Sequence, residues 1–200
     1  MVEKHKTQEK KMDLMQELIQ EQYEKQESEN QWIDSPYELI TRLKNDYSGR
    51  IGERLLEELC KMLDLSYIYE DTRNDPSGTF DIKILRERVE GKTARLGKQG
   101  SFQHENLRKG GCEKYAFVDV MPDRYYLTVF DSDFDYTKKH PIIGRTPHLR
   151  KGSDDVFKFD TSPATIQKCL EAGITCEVRH GNPEGLQKLL AFMKSKFPSR

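Results

Sequence analysis

Three residues in the stretch 78–95 stand at a spacing that can work on phosphate esters: Asp81, Glu90 and Lys92. Side chains alternate along a strand, so Glu90 and Lys92 point to one face. Asp81 lies on the preceding strand of a tight hairpin, and a turn near residues 85–87 makes it a cross-strand neighbour of Glu90. Two close carboxylates repel each other, which raises a pKa or demands a cation. Mg²⁺, a hard ion that prefers carboxylate oxygen, resolves that repulsion, with Mn²⁺ able to substitute. A water acidified by the ion is an in-line nucleophile. Lys92 can hydrogen-bond that water and stabilise charge growing on phosphorus. The blander reading is a solvated hairpin face on which Asp81, Lys83, Glu90 and Lys92 form weak cross-strand ion pairs. Neighbouring loops rich in glycine and basic residues favour the catalytic reading.

The same stretch resembles the PD-(D/E)xK nuclease superfamily, which includes most type II restriction endonucleases. Asp81 matches the family's first acidic position, and Glu90-Gly91-Lys92 matches its second block. Phe80 stands where a proline is frequent, and Gly91 where an apolar side chain is usual. The resemblance covers residues 50–130. It implies a mixed sheet flanked by helices with the hairpin at its centre, and a metal shell of Asp81, Glu90 and the Gly91 carbonyl. It also implies a further acidic residue on the helix before the first core strand. Glu53 is the candidate, because Gly52 lets that helix approach the sheet closely.

Residues 92–105 also look restriction-enzyme-like. Gln103 and His104 follow the catalytic strand closely and are candidates to touch the scissile phosphate or position water; an ordinary polar loop is the equal alternative. Arg95, Lys98, Arg108 and Lys109, with Lys114, form one basic run. Lys138 to Lys151 forms another, in a long loop that carries Arg145, His148, Arg150 and Lys151. Such groups supply phosphate affinity, and an arginine is the commonest reader of guanine. These residues are the candidate contacts to double-stranded DNA.

The elements that must position these groups read as follows. Residues 4–29 repeat Met12, Met15, Leu18, Ile19 and Tyr23 at helical steps. That face packs on the domain or pairs with a second copy. Ser35-Pro36 opens a helix with Tyr37, Leu39, Ile40 and Leu43 on one side, and Ser48-Gly49 breaks it. A second helix spans 50–63. Strands are expected at 66–70, 79–85, 88–96, 115–121 and 125–130, with turn chemistry at 74–78. Residues 102–108 read as a short helical or irregular stretch, and 131–154 as a long irregular segment. An edge strand at 156–159, a helix at 165–172, a strand at 174–178 and a helix at 183–197 close the chain. The class is therefore α/β or α+β with a central mixed sheet. Residues 1–33 form a helical arm and 34–200 the nuclease domain.

Totals narrow the field. The chain has 200 residues, 35% hydrophobic and 34% charged, with a net charge of −1. That balance argues against a protein that merely coats nucleic acid, which is usually basic overall. No apolar run approaches the ~20 residues a membrane helix needs, and the polar residues 1–11 lack the apolar core of a secretory signal. A cytoplasmic protein without a membrane partner is expected. Cys60, Cys112, Cys169 and Cys176 show no zinc-ligand spacing, and Cys60 reads as a core residue. His5, His140, His148 and His180 read as surface residues. No GxSxG or dinucleotide-binding glycine motif is present. The expectation is a Mg²⁺-dependent type II restriction-like endonuclease acting as a homodimer, one site per DNA strand, leaving a 5′-phosphate. The alternatives are a non-cleaving DNA-binding module on the same fold, and a repair or mobile-element nuclease that recognises DNA structure.

Overall fold

A computed structural model describes residues 14–69 and 80–198. The chain separates into two units, Met1–Asp34 and Ser35–Arg200. The first contains helix α1 (Leu14–Ser28), with Glu17 in its first turn and Lys25 in its last, the placement that suits a helix dipole. Gln20 donates to Glu24 one turn on, at 2.8 Å. The apolar residues of the expected stripe, Met15, Leu18, Ile19 and Tyr23, are exposed along with Leu14. Met12 lies outside the described residues.

In the second unit a 3-10 turn (Glu38–Arg42) leads into α2 (Asn45–Met62). Strands β1 (Tyr67–Tyr69), β2 (Ile82–Ile84) and β3 (Glu87–Arg95) follow, then β4 (Phe102–Arg108), β5 (Lys114–Val120) and β6 (Arg124–Asp131). The chain ends with β7 (His148–Leu149), β8 (Val156–Thr161), α3 (Pro163–Glu171), β9 (Thr175–Arg179) and α4 (Gly185–Lys196). The central sheet runs β1-β2-β3-β5-β6-β9. It is mixed, because β3 and β5 are parallel while the other neighbours are antiparallel. A parallel pair needs a crossover. Here the crossover carries β4, which leaves to pair with β8 in a second, three-stranded sheet β4-β8-β7.

Residue parity fixes the layers. Thr93 and Val118 face α2, where a β-carbon at Gly52 would collide with Thr93 Oγ1. Helix α4 packs on that same face, with Leu189 and Met193 buried and Gly185 against Val178. The opposite face carries Tyr115, Phe117 and Phe130. These pack with Leu107 and Phe159 of the small sheet, and with Tyr136 and Ile143, into one aromatic-rich cluster. Among the described residues no helix is long and apolar enough to cross a membrane.

Four local expectations need correction. Ser48 and Gly49 sit inside α2, which starts five residues before the expected 50. The Gly49 carbonyl accepts from Thr93 Oγ1 at 3.1 Å and the Gly52 N–H donates to the same oxygen at 2.9 Å, so tertiary bonds offset the weak local propensity. Residues 102–108 form a strand, and their buried positions Phe102, His104 and Leu107 show a period of two broken by one extra residue. Strand β8 is the middle of the small sheet rather than an edge. His140 is buried, with its Nδ1 accepting from the Ile142 and Ile143 N–H groups. Cys60 is a buried core residue on α2 as expected, and among the described residues all four thiols are free and buried.

Candidate active site

The β2–β3 hairpin turns through Leu85 and Arg86, with Leu85 at φ 55°, and pairs Ile82 with Val89 and Ile84 with Glu87. The Asp81 N–H continues that ladder by donating to the Val89 carbonyl at 3.0 Å, which sets Asp81 across from Glu90. The Gly91 N–H donates to Asp81 Oδ2 at 2.8 Å and holds the carboxylate at the strand. On the neighbouring position the Lys92 ammonium forms an ion pair with Glu90 Oε1. Asp81 and Glu90 are 5% and 6% exposed, so this is no solvated hairpin face.

Helix α2 adds Glu53. A β-carbon built on Gly91 would lie 3.6 Å from Asp81 Oδ2 and 3.8 Å from Glu53 Cγ, so the two acidic side chains flank the same glycine. The close approach of α2 at Gly52 is what brings Glu53 this near. Strand β1 adds Tyr69, whose hydroxyl donates to Glu53 Oε2 at 2.6 Å.

The electrostatics follow from burial and from shared charge. Desolvation pushes the Asp81 carboxyl up to about 6, with Lys92 opposing the shift and Glu53 adding to it. Desolvation pushes Glu90 up to about 8, again against Lys92 and with Asp81 adding. Burial pulls the Lys92 ammonium down, but the Glu90 and Asp81 carboxylates outweigh it and hold its pKa above the ordinary lysine value. Excess buried negative charge is what a divalent cation would relieve. Glu90 Oε2 is buried and has no protein hydrogen-bond partner, so one carboxylate oxygen is spare. Among the described residues no three His, Cys, Asp or Glu side chains gather as a preformed ion cage. Two carboxylates with Glu53 nearby nevertheless fit Mg²⁺, which keeps several waters rather than filling an all-protein shell.

The cluster borders an open cleft of ≈ 670 Å³. Glu53, Gly91 and Lys92 line it, and so do Arg95, Lys98 and Gln103 among the sequence candidates. Arg95 also donates to the Ile40 carbonyl at 2.9 Å. Arg108, Lys109, Arg145, His148 and Lys151 are exposed but do not line the cleft. Lys114 is tied to Asp131 at 2.6 Å. Arg150 reaches the cleft indirectly, by donating at 2.6 Å to Asn106 Oδ1, and Asn106 is part of the lining.

His104 is the clear correction. It is 1% exposed, stacks on Phe117 with 3.8 Å between centroids, and so cannot touch DNA from where it stands. Its Nε2 lies 2.9 Å from Asp119 Oδ1, yet the pair is not aligned as a hydrogen bond and both imidazole nitrogens lack a partner. The alternation that buries His104 is the one that turns Gln103 toward the cleft.

Sequence reasoning also missed Tyr69 and Asn106. Tyr69 sits on a strand recognised in the sequence, but its contact with Glu53 depends on how α2 crosses the sheet. Asn106 adopts φ 61° where the β4–β8 register shifts between His104 and Leu107. A bulge of this kind re-aims side chains and is common beside active sites, and asparagine tolerates that conformation better than most residues.

Comparison with protein-family models, with curated proteins and with solved structures finds no match for the chain.

Proposed function

We propose that the Ser35–Arg200 unit is a Mg²⁺-dependent endonuclease that hydrolyses phosphodiester bonds in double-stranded DNA, of the PD-(D/E)xK restriction-endonuclease kind. The observation that carries this reading is the meeting of the Lys92 ammonium with the buried carboxylates of Glu90 and Asp81 beside a cleft edged by Arg95 and Lys98. Asp81, Glu90 and the Gly91 carbonyl would hold the ion, with Glu53 beside them. When bound, a divalent cation supplies charge for the phosphate and lowers the pKa of an attacking water.

The chain's own groups do the rest. The Gly91 N–H fixes the Asp81 carboxylate, which leaves no rotamer search at the moment of binding. Lys92 donates to the incoming water or to a non-bridging phosphate oxygen, where negative charge develops. Its pairing with Glu90 keeps it protonated for that role. Arg95 and Lys98 meet flanking phosphates, and Gln103 faces the same cleft. A homodimer would present one such site to each strand of the duplex.

Incubating the purified protein with supercoiled plasmid, with and without Mg²⁺, tests the proposal. Nicked and linear products that need Mg²⁺, and vanish in Lys92→Ala while DNA binding persists, are the expected result. DNA binding without cleavage under any divalent cation would leave only the non-cleaving module.

A further inference from the structure

Glu53 on α2, Asp81 just before β2, and Glu90 and Lys92 on β3 gather about Gly91, and beside these four stands a phenol, Tyr69, that the reaction above does not use. Tyr69 stands at the last position of β1, paired across the ladder with Ile82, the residue after Asp81. Its hydroxyl is 2.6 Å from Glu53 Oε2, at a separation of sixteen residues. The phenol is the donor in that bond and the carboxylate the acceptor.

We infer that Tyr69 is a positioning residue for the metal site: its hydroxyl holds the Glu53 carboxylate beside Asp81 and Gly91, where that carboxylate joins the ion's shell directly or through a water. Three observations carry this. Glu53 is on a helix and long enough to turn outward to solvent, since its Cγ sits at the cleft wall. Like charge on Asp81 should drive it outward. Against that, the Tyr69 hydroxyl supplies a charge-assisted hydrogen bond, and such bonds are short and about twice as strong as neutral ones. The bond occupies Oε2 and leaves Oε1 for the ion. A phenol suits the task better than a lysine or arginine would, because it orients the carboxylate without cancelling the charge that attracts the cation. The inference rests on the proposed metal site, and the test separates the two.

The experiment uses the full chain and Mn²⁺ as the probe, with free Mn²⁺ read by electron paramagnetic resonance. Wild type, Tyr69→Phe, Glu53→Gln and the double variant are compared, each after its thermal midpoint is shown to match wild type closely. The expected result is that Tyr69→Phe binds Mn²⁺ on the order of ten-fold more weakly, the scale of one hydrogen bond to a charged group. The double variant should then bind no more weakly than Glu53→Gln alone, since removing the carboxylate removes what the phenol acts on. In plasmid cleavage the Mg²⁺ concentration for half-maximal rate should rise in Tyr69→Phe while the rate at saturating Mg²⁺ stays within about two-fold, consistent with a lost orienting bond rather than a lost reacting group. Wild-type affinity in Tyr69→Phe, alongside weakened binding in Glu53→Gln, overturns the role of Tyr69 and leaves the metal site standing. Wild-type protein that binds no Mn²⁺ overturns both.

Discussion

The Gly91 N–H donates to Asp81 Oδ2 at 2.8 Å, so the backbone of the strand that carries Glu90 and Lys92 also orients the carboxylate opposite them. One hairpin thereby builds most of the site. Glu90 and Lys92 come from alternate positions of β3, Asp81 from the residue just before β2, and the residue between the first two fixes the third. Because the three are coupled through a single ladder, a change at one is felt by the other two.

Under the proposed function Lys92 would stabilise charge at the reacting phosphate; in the fold it is paired with the buried Glu90 carboxylate. Lys92→Ala should lower the cleavage rate by about 10²–10³-fold, the usual effect of removing one preorganised donor. Without divalent ion it should also destabilise the fold by about 3 kcal/mol, since its loss strands buried negative charge. Single-turnover cleavage and urea titration give the two numbers. Undiminished cleavage in this variant would sink the assignment.

The raised carboxyl pKa values make a prediction with a definite sign. Asp81 is pushed up to about 6 and Glu90 to about 8, whereas both would titrate near 4 in the unfolded chain. The folded protein therefore holds protons that the unfolded chain has released, and stability falls as pH rises. The contribution is complete below about pH 4 and is lost as pH passes first 6 and then 8. Metal-free protein should show a lower urea midpoint at about pH 8 than at about pH 5. Glu90→Gln should flatten that fall, and saturating Mg²⁺ should abolish it, because an ion that binds only the folded state stabilises it by mass action. A metal-free midpoint that climbs over this range would contradict the burial argument.

Gly52 is a matter of space. A β-carbon there would collide with Thr93 Oγ1 and lie 3.2 Å from Val118 Cγ2. Gly52→Ala should therefore cost about 1–3 kcal/mol through overpacking. It should also lose cleavage beyond what that destabilisation explains, because it lifts Glu53 away from Gly91. Gly49→Ala is the control, for its β-carbon would meet nothing within 4 Å; it should keep activity. Equal behaviour of the two variants would refute the close-approach argument.

Lys98 lines the cleft and is exposed, so under the proposed function it would meet a phosphate without base preference. Lys98→Ala should weaken binding to every duplex alike and reduce the slope of log affinity against log salt by about one. Fluorescence anisotropy at several salt concentrations measures both. A changed cut position, with the salt slope intact, would assign it to sequence reading instead.

Charge and periodicity in the sequence were enough to place the β2–β3 hairpin, its turn near Leu85 and the shared face of Asp81, Glu90 and Lys92, because these follow from the period of two and from one short connection. The same local signals located β5, β6, α3, β9 and α4, and the mixed α/β class. Residues 102–108 were misread because a single extra residue at the bulge breaks the alternation, and His104 was assigned outward by the same error. The start of α2 was misplaced because Ser48-Gly49 is a poor helix segment on its own and is held by Thr93, more than forty residues away. The turn chemistry at 74–78 lies outside the described residues.

What the chain order could not decide is which face each strand turns toward its distant neighbours. Burial of Asp81 and Glu90, the grip of Tyr69 on Glu53, the stacking of His104 on Phe117 and the choice of Arg95 and Lys98 over the other basic residues all arise from how α2 and the small sheet cross the central one. Those crossings are set by close packing at points such as Gly52 and Thr93, where one methyl group of excess volume would open the gap. A linear pattern records the period of each element but not the angle at which two elements meet. For that reason the acid–acid–amine motif is a property of the sequence, and the desolvation that raises the pKa of its two carboxyls is a property of the fold.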